Sequence, residues 1–227
     1  ETGEKPDIPV ITLNADPSDL FDTNSGIYAL GPSASANFPY FGANFWQDWE
    51  KPAQFEIIDT NGQNYKANAG IKIFGGWSRG NAQKSFSLFA RKKYGDSKFD
   101  YQIFPESDVV NYESFILRNS GNDWEQTMLR DGYINSIIRF TGVDYQQYRP
   151  AIGFINGEYW GIYNMREKIS EHFISSHHDV PTDNISLLAY NGGFEDNIEL
   201  IHGSKNDFLE LIQYISSNDM TKSDDLR

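Results

Sequence analysis

The 227 residues contain no cysteine, which excludes disulfides, thiolate metal sites and a cysteine nucleophile at a stroke. Basic residues are scarce, 19 against 32 acidic, for a net charge of −13. A field of that sign repels phosphate backbones and anionic lipid, so neither general nucleic-acid binding nor membrane-surface binding is expected. It still leaves room for a nucleotide held by a local basic cluster with a divalent cation. No stretch approaches the ~20 apolar residues of a membrane span. Glu1 to Pro6 lacks the charged-then-apolar pattern of a signal peptide and reads as an interdomain linker, and Thr221 to Arg227 is polar with no fold-ending signal. Both ends read as cuts in a longer protein. There is no internal repeat and no low-complexity tract.

Aromatics, by contrast, are plentiful: 5 Trp, 13 Tyr and 16 Phe, spread along the chain as in a β-rich packed domain. Pro9 to Asn14 is a short apolar run that predicts a first strand. Gln54–Asp59 and Gln63–Ala67 flank Asn61-Gly62, and Arg149–Ile155 and Tyr159–Met165 flank Asn156-Gly157; each is a hairpin signature. Gly70–Gly75 and Ser85–Arg91 alternate as half-buried strands do, and Glu113–Arg118 and Ile185–Tyr190 add two more. Asp123 predicts the cap of a helix to Phe140 with Leu129, Tyr133, Ile137 and Phe140 at helical spacing. A second helix is expected from Glu167 to Ser176. A third, capped by Asn206, carries Phe208, Leu209, Ile212 and Ile215 as a buried stripe. Strands first and mixed elements after predict an α+β fold.

The segment with the most chemistry is Gly75 to Lys84, a glycine-rich connection between two strands that ends in a lysine. Backbone N–H groups can approach phosphates where no side chain intervenes, with Arg79 or Lys84 as countercharge. A plain hairpin with a solvated lysine is the competing reading. Other constellations carry less. Asp22 to Gly26 has oxygen ligands at alternate positions, but Ser33 stands where a calcium loop needs its twelfth-position glutamate, so an Asx turn is expected. His177-His178 and His172 have the wrong spacing for a zinc pair on a helix. Gly76-Trp77-Ser78-Arg79-Gly80 matches the bare hydrolase elbow, but a strand follows it where the elbow needs a helix. The tryptophans, above all Trp46 in the irregular stretch 31–48 and Trp49 just after it, leave open a carbohydrate- or protein-binding surface instead of an enzyme.

Read together, several ordered blocks resemble the CotH (spore-coat) family of atypical protein kinases. They are Ile71 to Phe86 with its G-x-S-R and K-S-F elements, Arg91 to Gly95, Phe104-Pro105, Ile116 to Gly121, Leu129 to Asp131, and Phe154 to Tyr163 followed by Glu167-Lys168. The opening Ile8 to Leu13 and Asn24 to Tyr28 fit as well, so the likeness covers about residues 8 to 178. What it implies is a kinase-like N-lobe over 8–121 after a linker over 1–7, and the beginning of a helical C-lobe over 122–227, truncated. It implies ATP with Mg2+ or Mn2+ in the intact parent, a serine-rich protein as substrate, and an extracellular or bacterial cell-surface location. Arg79 and Lys84 would meet the phosphates, Asp131 would hold the lysine, and Glu167 would lie by the hinge near the adenine. The family's later N-x-D-W and D-x-D blocks are missing; Asp219, Asp224 and Asp225 lie in a polar tail without the flanking pattern. No catalytic residue and no metal ligand is therefore assigned, the chain as given is expected to be inactive, and self-association through a face left open by truncation is expected.

Overall fold

A computed structural model describes residues 7–190 and 198–221 of the chain; Glu1 to Pro6, Asp224 and Asp225 lie outside them. Strand β1 (Val10–Asn14) buries Ile11 and Leu13 on one face, as period-2 alternation requires. A five-residue helix, α1 (Pro17–Phe21), follows, capped by the Asp16 carboxylate accepting from Ser18 N. β2 (Lys51–Ile58) and β3 (Asn64–Phe74) pair antiparallel around the expected Asn61-Gly62 turn. Gly62 takes φ +87° there, a value glycine adopts without a Cβ penalty. β4 (Ser85–Phe89), the short pair β5 (Phe99–Asp100) and β6 (Asn111–Tyr112), and β7 (Ser114–Arg118) come next. After helix α2 (Arg130–Ile138), β8 (Tyr148–Ile155) and β9 (Glu158–Glu167) form the second hairpin. Asn156 and Gly157 both have positive φ, as the two-residue hairpin turn demands.

The strands close into a barrel in the order β1-β2-β3-β4-β7-β9-β8. Every neighbour in it is antiparallel except β8, which returns to β1 in parallel with Val10 opposite Ile152. Closure removes the exposed edges an open sheet would present. The core lies inside and is built from alternate residues: Leu13, Phe55, Ile71, Phe86, Leu88, Phe115, Leu117 and Met165. Each buried side chain of this size contributes about 1.5–3 kcal/mol relative to exposure. Gly153 makes room for the fully buried Tyr163: a Cβ there would lie 2.4 Å from the tyrosine ring.

The fold is thus α+β, rich in antiparallel sheet and poor in helix. By its contacts the chain divides into Glu1–Lys168 and Ile169–Arg227. The β8–β9 hairpin, which the sequence groups with the helical half after residue 121, pairs with β1 and β7 and is part of the barrel. In the second unit, α3 (Glu171–His178) is capped by Ser170, β10 (Leu187–Tyr190) pairs with β11 (Ile198–His202), and α4 (Asn206–Ser217) follows.

Three helix expectations need correction. The helix expected over 123–140 occupies only Arg130–Ile138. Asp123 spends its carboxylate on Thr127 and on the backbone N of Arg130, so it braces the loop before the helix instead of starting it. The helix expected from Glu167 begins at Glu171, because Glu167 finishes β9. The stripe on α4 is real but not buried: Leu209, Ile212 and Ile215 are exposed. No helix among the described residues is long and apolar enough to cross a membrane.

Candidate functional site

The connection between β3 and β4 is shaped by its glycines and tied by its cations. Gly75 has φ +114°, and a Cβ on Gly76 would meet nothing within 4 Å, so the backbone there faces open space. A 3-10 turn over Trp77–Gly80 follows, with Gly80 tight against the Phe38 ring. The Arg79 guanidinium donates to the carbonyls of Gly75 (2.5 Å) and Phe45 (3.0 Å) and stacks on Trp46. Lys84, only 4% exposed, donates from Nζ to the carbonyls of Arg79 (2.7 Å) and Asn81 (2.9 Å) and lies 3.9 Å from the centre of the Phe45 ring. Burial lowers its pKa to about 8. Both cations therefore point into the loop and fix its shape; outward it presents the backbone at Gly76 and the Trp77 side chain.

The foot of the loop is held by buried amides and a tyrosine. Tyr28 Oη donates to the Ala82 carbonyl and accepts from Lys84 N and Trp160 Nε1. Asn119, fully buried, donates to the Gln83 carbonyl and accepts from Ser85 Oγ and Gly121 N. Gln83 in turn donates to the Ile162 carbonyl and accepts from Trp124 Nε1. These bonds lock the start of β4 to β7 and β9, so the loop springs from a rigid base.

Asp131, expected beside Lys84, is engaged elsewhere. Its Oδ2 accepts from Arg118 Nε (2.8 Å) and from Arg166 Nη1 (3.2 Å), and Arg118 Nη2 lies 2.7 Å from the same oxygen. Among the described residues no carboxylate forms an ion pair with Lys84. The physical reason is strand parity: Arg118 and Arg166 alternate with the core residues Leu117 and Met165 and point out of the barrel, where α2 brings Asp131 to them. Glu167 is buried at the end of β9; its Oε2 accepts from Gln147 N (2.9 Å), fastening the entry of β8. The structure thus brings Arg79 and Lys84 together in one loop and sets Asp131 and Glu167 apart from them.

The remaining candidates resolve into local chemistry. Asp22 Oδ1 accepts from Asn24 N, Ser25 N and Ser25 Oγ, the expected Asx turn. Trp46 is half-buried and donates to the Pro39 carbonyl, whereas Trp77, at 62% exposure, stands edge-on to the exposed rings of Phe38 and Phe41. No three His, Cys, Asp or Glu side chains among the described residues are grouped to hold a metal ion. Two clefts of the first unit lie away from the loop, one of about 540 Å³ beside Asn14, Gln54 and Tyr94, the other of about 290 Å³ between α2 and Tyr148.

Sequence reasoning passed over Arg118 and Arg166 as site residues. The available signal was a charged residue flanked by strand apolar positions, Ile116-Leu117-Arg118 and Met165-Arg166, which needs a buried or covered counterion. Against known proteins, a family model described as CotH kinase protein matches residues 71–225, beginning within β3 and spanning the glycine-rich connection, α2 and the β8–β9 hairpin. No curated protein matches the chain. The match runs over well more than half of the sequence and contains every block that suggested the likeness from Ile71 onward, and the chain belongs to the CotH kinase protein family.

Proposed function

We propose that the barrel unit is the nucleotide-holding, kinase-like lobe of a CotH-type phosphotransferase, with the phosphates of ATP received by the backbone of the Gly75–Asn81 connection. The observation that carries this reading is the open backbone at Gly76 in a connection between two barrel strands, in a chain of kinase-related family. Glycine-rich turns hold phosphates through N–H groups that side chains would otherwise screen. Arg79 and Lys84 serve by holding the turn in its receiving shape, each giving two N–H donors to backbone carbonyls. In this reading Asp131 orients a cation of the same lobe and Glu167 braces the strand that leads toward the second unit. The division of the chain's contacts after Lys168 supports a lobe that ends there. ATP brings the transferable phosphoryl group, a divalent cation such as Mg2+ or Mn2+ accompanies it, and a protein hydroxyl is the acceptor.

The test is thermal denaturation with increasing MgATP. A ligand that binds only the folded chain raises the midpoint with concentration. Gly76→Ala places a methyl in open space beside the turn; read against its own unliganded midpoint, it is expected to bind ATP roughly tenfold or more weakly. A wild-type midpoint that stays flat to millimolar MgATP, or an Ala variant that binds as tightly as wild type, contradicts the reading.

A further inference from the structure

The outward cluster on β7 and β9 has one carboxylate for two guanidiniums. Arg118 and Arg166 both address Oδ2 of Asp131, so the group carries a surplus positive charge in a chain whose net charge is −13. Arg166 is more than nine-tenths buried, and its Nε has no hydrogen-bond partner. Its cross-strand neighbour Tyr148 likewise buries a hydroxyl with no partner. A buried donor left unpaired is costly, and although Gln146 Oε1 accepts from Arg166 Nη2, the Nε of Arg166 still lacks an acceptor. Burial, and after it the charge of Arg118, pull the pKa of Arg166 below its usual value, the mark of two like charges held close. Arginine does not give up its proton, so the repulsion is carried as a cost to stability. The cluster reaches solvent through Asp131 and Arg118, whose side chains are 38% and 24% exposed. Gly121 keeps that approach tight: a Cβ there would lie 2.8 Å from Arg118 Nη2.

We infer that Arg118 and Arg166 form a phosphate-binding site, with Asp131 positioning the two guanidiniums. Guanidinium forks match phosphate oxygens bidentately, and a second anion offers the acceptors that the cluster lacks. In naming a phosphate of the nucleotide as occupant the inference rests on the function proposed above; the surplus charge and the unpaired donor do not. The site lies on the outer face of β7 and β9, so Arg118 and Arg166, and not Lys84, are the side-chain cations available to it.

Calorimetric titrations with inorganic tripolyphosphate and with MgATP test it, on the wild-type chain and on Arg118→Gln, Arg166→Gln and Arg166→Lys. Each variant is first checked for a cooperative melt, and Arg166→Lys keeps the charge while removing the fork should the glutamine change unfold the chain. Tripolyphosphate is expected to bind the wild type and to bind the Arg166 and Arg118 variants roughly tenfold or more weakly. An unchanged dissociation constant in every folded variant, or no binding to the wild type at millimolar concentration, overturns the inference. If MgATP binds all variants alike, the site fails while the nucleotide reading stands. If tripolyphosphate binding depends on the arginines but MgATP does not bind, the site stands and the nucleotide reading fails.

Discussion

Replacing Asp59 by alanine is expected to cost about 3–5 kcal/mol of folding stability, the usual penalty for orphaning a covered charge. Asp59 directly follows β2, and its carboxylate is gripped by Arg149 of β8 at 2.5 and 2.8 Å, by Tyr101 Oη at 3.0 Å and by Thr60 N at 2.7 Å. Arg149 also donates to the Ile103 carbonyl. One carboxylate therefore fastens the β2–β3 turn, the segment between β5 and β6, and the strand that closes the barrel. In a chain of this size the loss lowers the melting midpoint on the order of 10 °C. The hydrogen bonds from Arg149 and Tyr101 depress the Asp59 pKa from 3.8 to about 2. Because the folded value is the lower one, the contribution is fully present above pH 4 and is lost as pH falls toward 2, by roughly 2 kcal/mol. Urea denaturation of the wild type and of Asp59→Ala from pH 7 to pH 2 measures both effects. A loss below 1 kcal/mol at pH 7, or parallel pH profiles, contradicts this role for the clamp.

Lys84 makes the opposite prediction at the other end of the pH scale. Burial lowers its pKa from 10.5 to about 8. Between those values the unfolded chain binds a proton that the folded chain has released, so stability rises with pH through that window. The size is roughly 3 kcal/mol. The rise comes from relief of a buried ammonium that aromatic rings and two carbonyls only partly compensate. Tyr28, which touches the same group, has its own pKa raised by burial and stays protonated as Lys84 titrates. Lys84→Met keeps the apolar stem and removes the charge. The expected result is a profile that is flat between pH 8 and about 9.5, below the range where tyrosines titrate in the unfolded chain, where the wild type climbs, read from urea midpoints. A Met variant that climbs with the wild type shows that the lysine is not the titrating group.

These two residues also show what the sequence could and could not reveal. The strands were legible because Ile11 and Leu13, Phe55 and Ile57, Ile71 and Ile73, and Phe115 and Leu117 each stand two residues apart, the spacing a one-sided sheet needs. The hairpins were legible because Asn61-Gly62 and Asn156-Gly157 supply the positive φ that tight turns demand. Closure was not. Nothing in Val10 to Leu13 announces a parallel pairing with Ile152 to Ile155, since that partner is chosen by tertiary packing and not by local chemistry. Helix ends were misread where a capping residue had other work: Asp123 looks like a cap and reaches Arg130 N from seven residues back. At the site, glycine spacing drew attention to the β3–β4 connection, where the backbone at Gly76 is open while Gly75 and Gly80 pack against Ser78 and Phe38. The direction of its side chains was not readable. Lys84 and Arg79 look like phosphate ligands in one dimension, but both turn inward to carbonyls because the loop's own backbone needs donors. Asp131 was singled out without its partners, because the arginines it joins lie 13 and 35 residues away in sequence.

The central claim, that the Gly75–Asn81 backbone receives a nucleotide's phosphates, is tested most directly by amide hydrogen exchange. Exchange is followed residue by residue with and without saturating MgATP, in the wild type and in Gly76→Ala. Slowed exchange is expected at Gly75 to Ser78 in the wild type, as N–H groups there become donors to phosphate, whereas the Arg79 and Asn81 N–H groups already donate to the Gly76 and Ser78 carbonyls, and little slowing is expected in the variant at the same nucleotide concentration. Protection confined to another surface, such as the cleft beside Asn14 and Tyr94, with the loop amides exchanging as before, would contradict it.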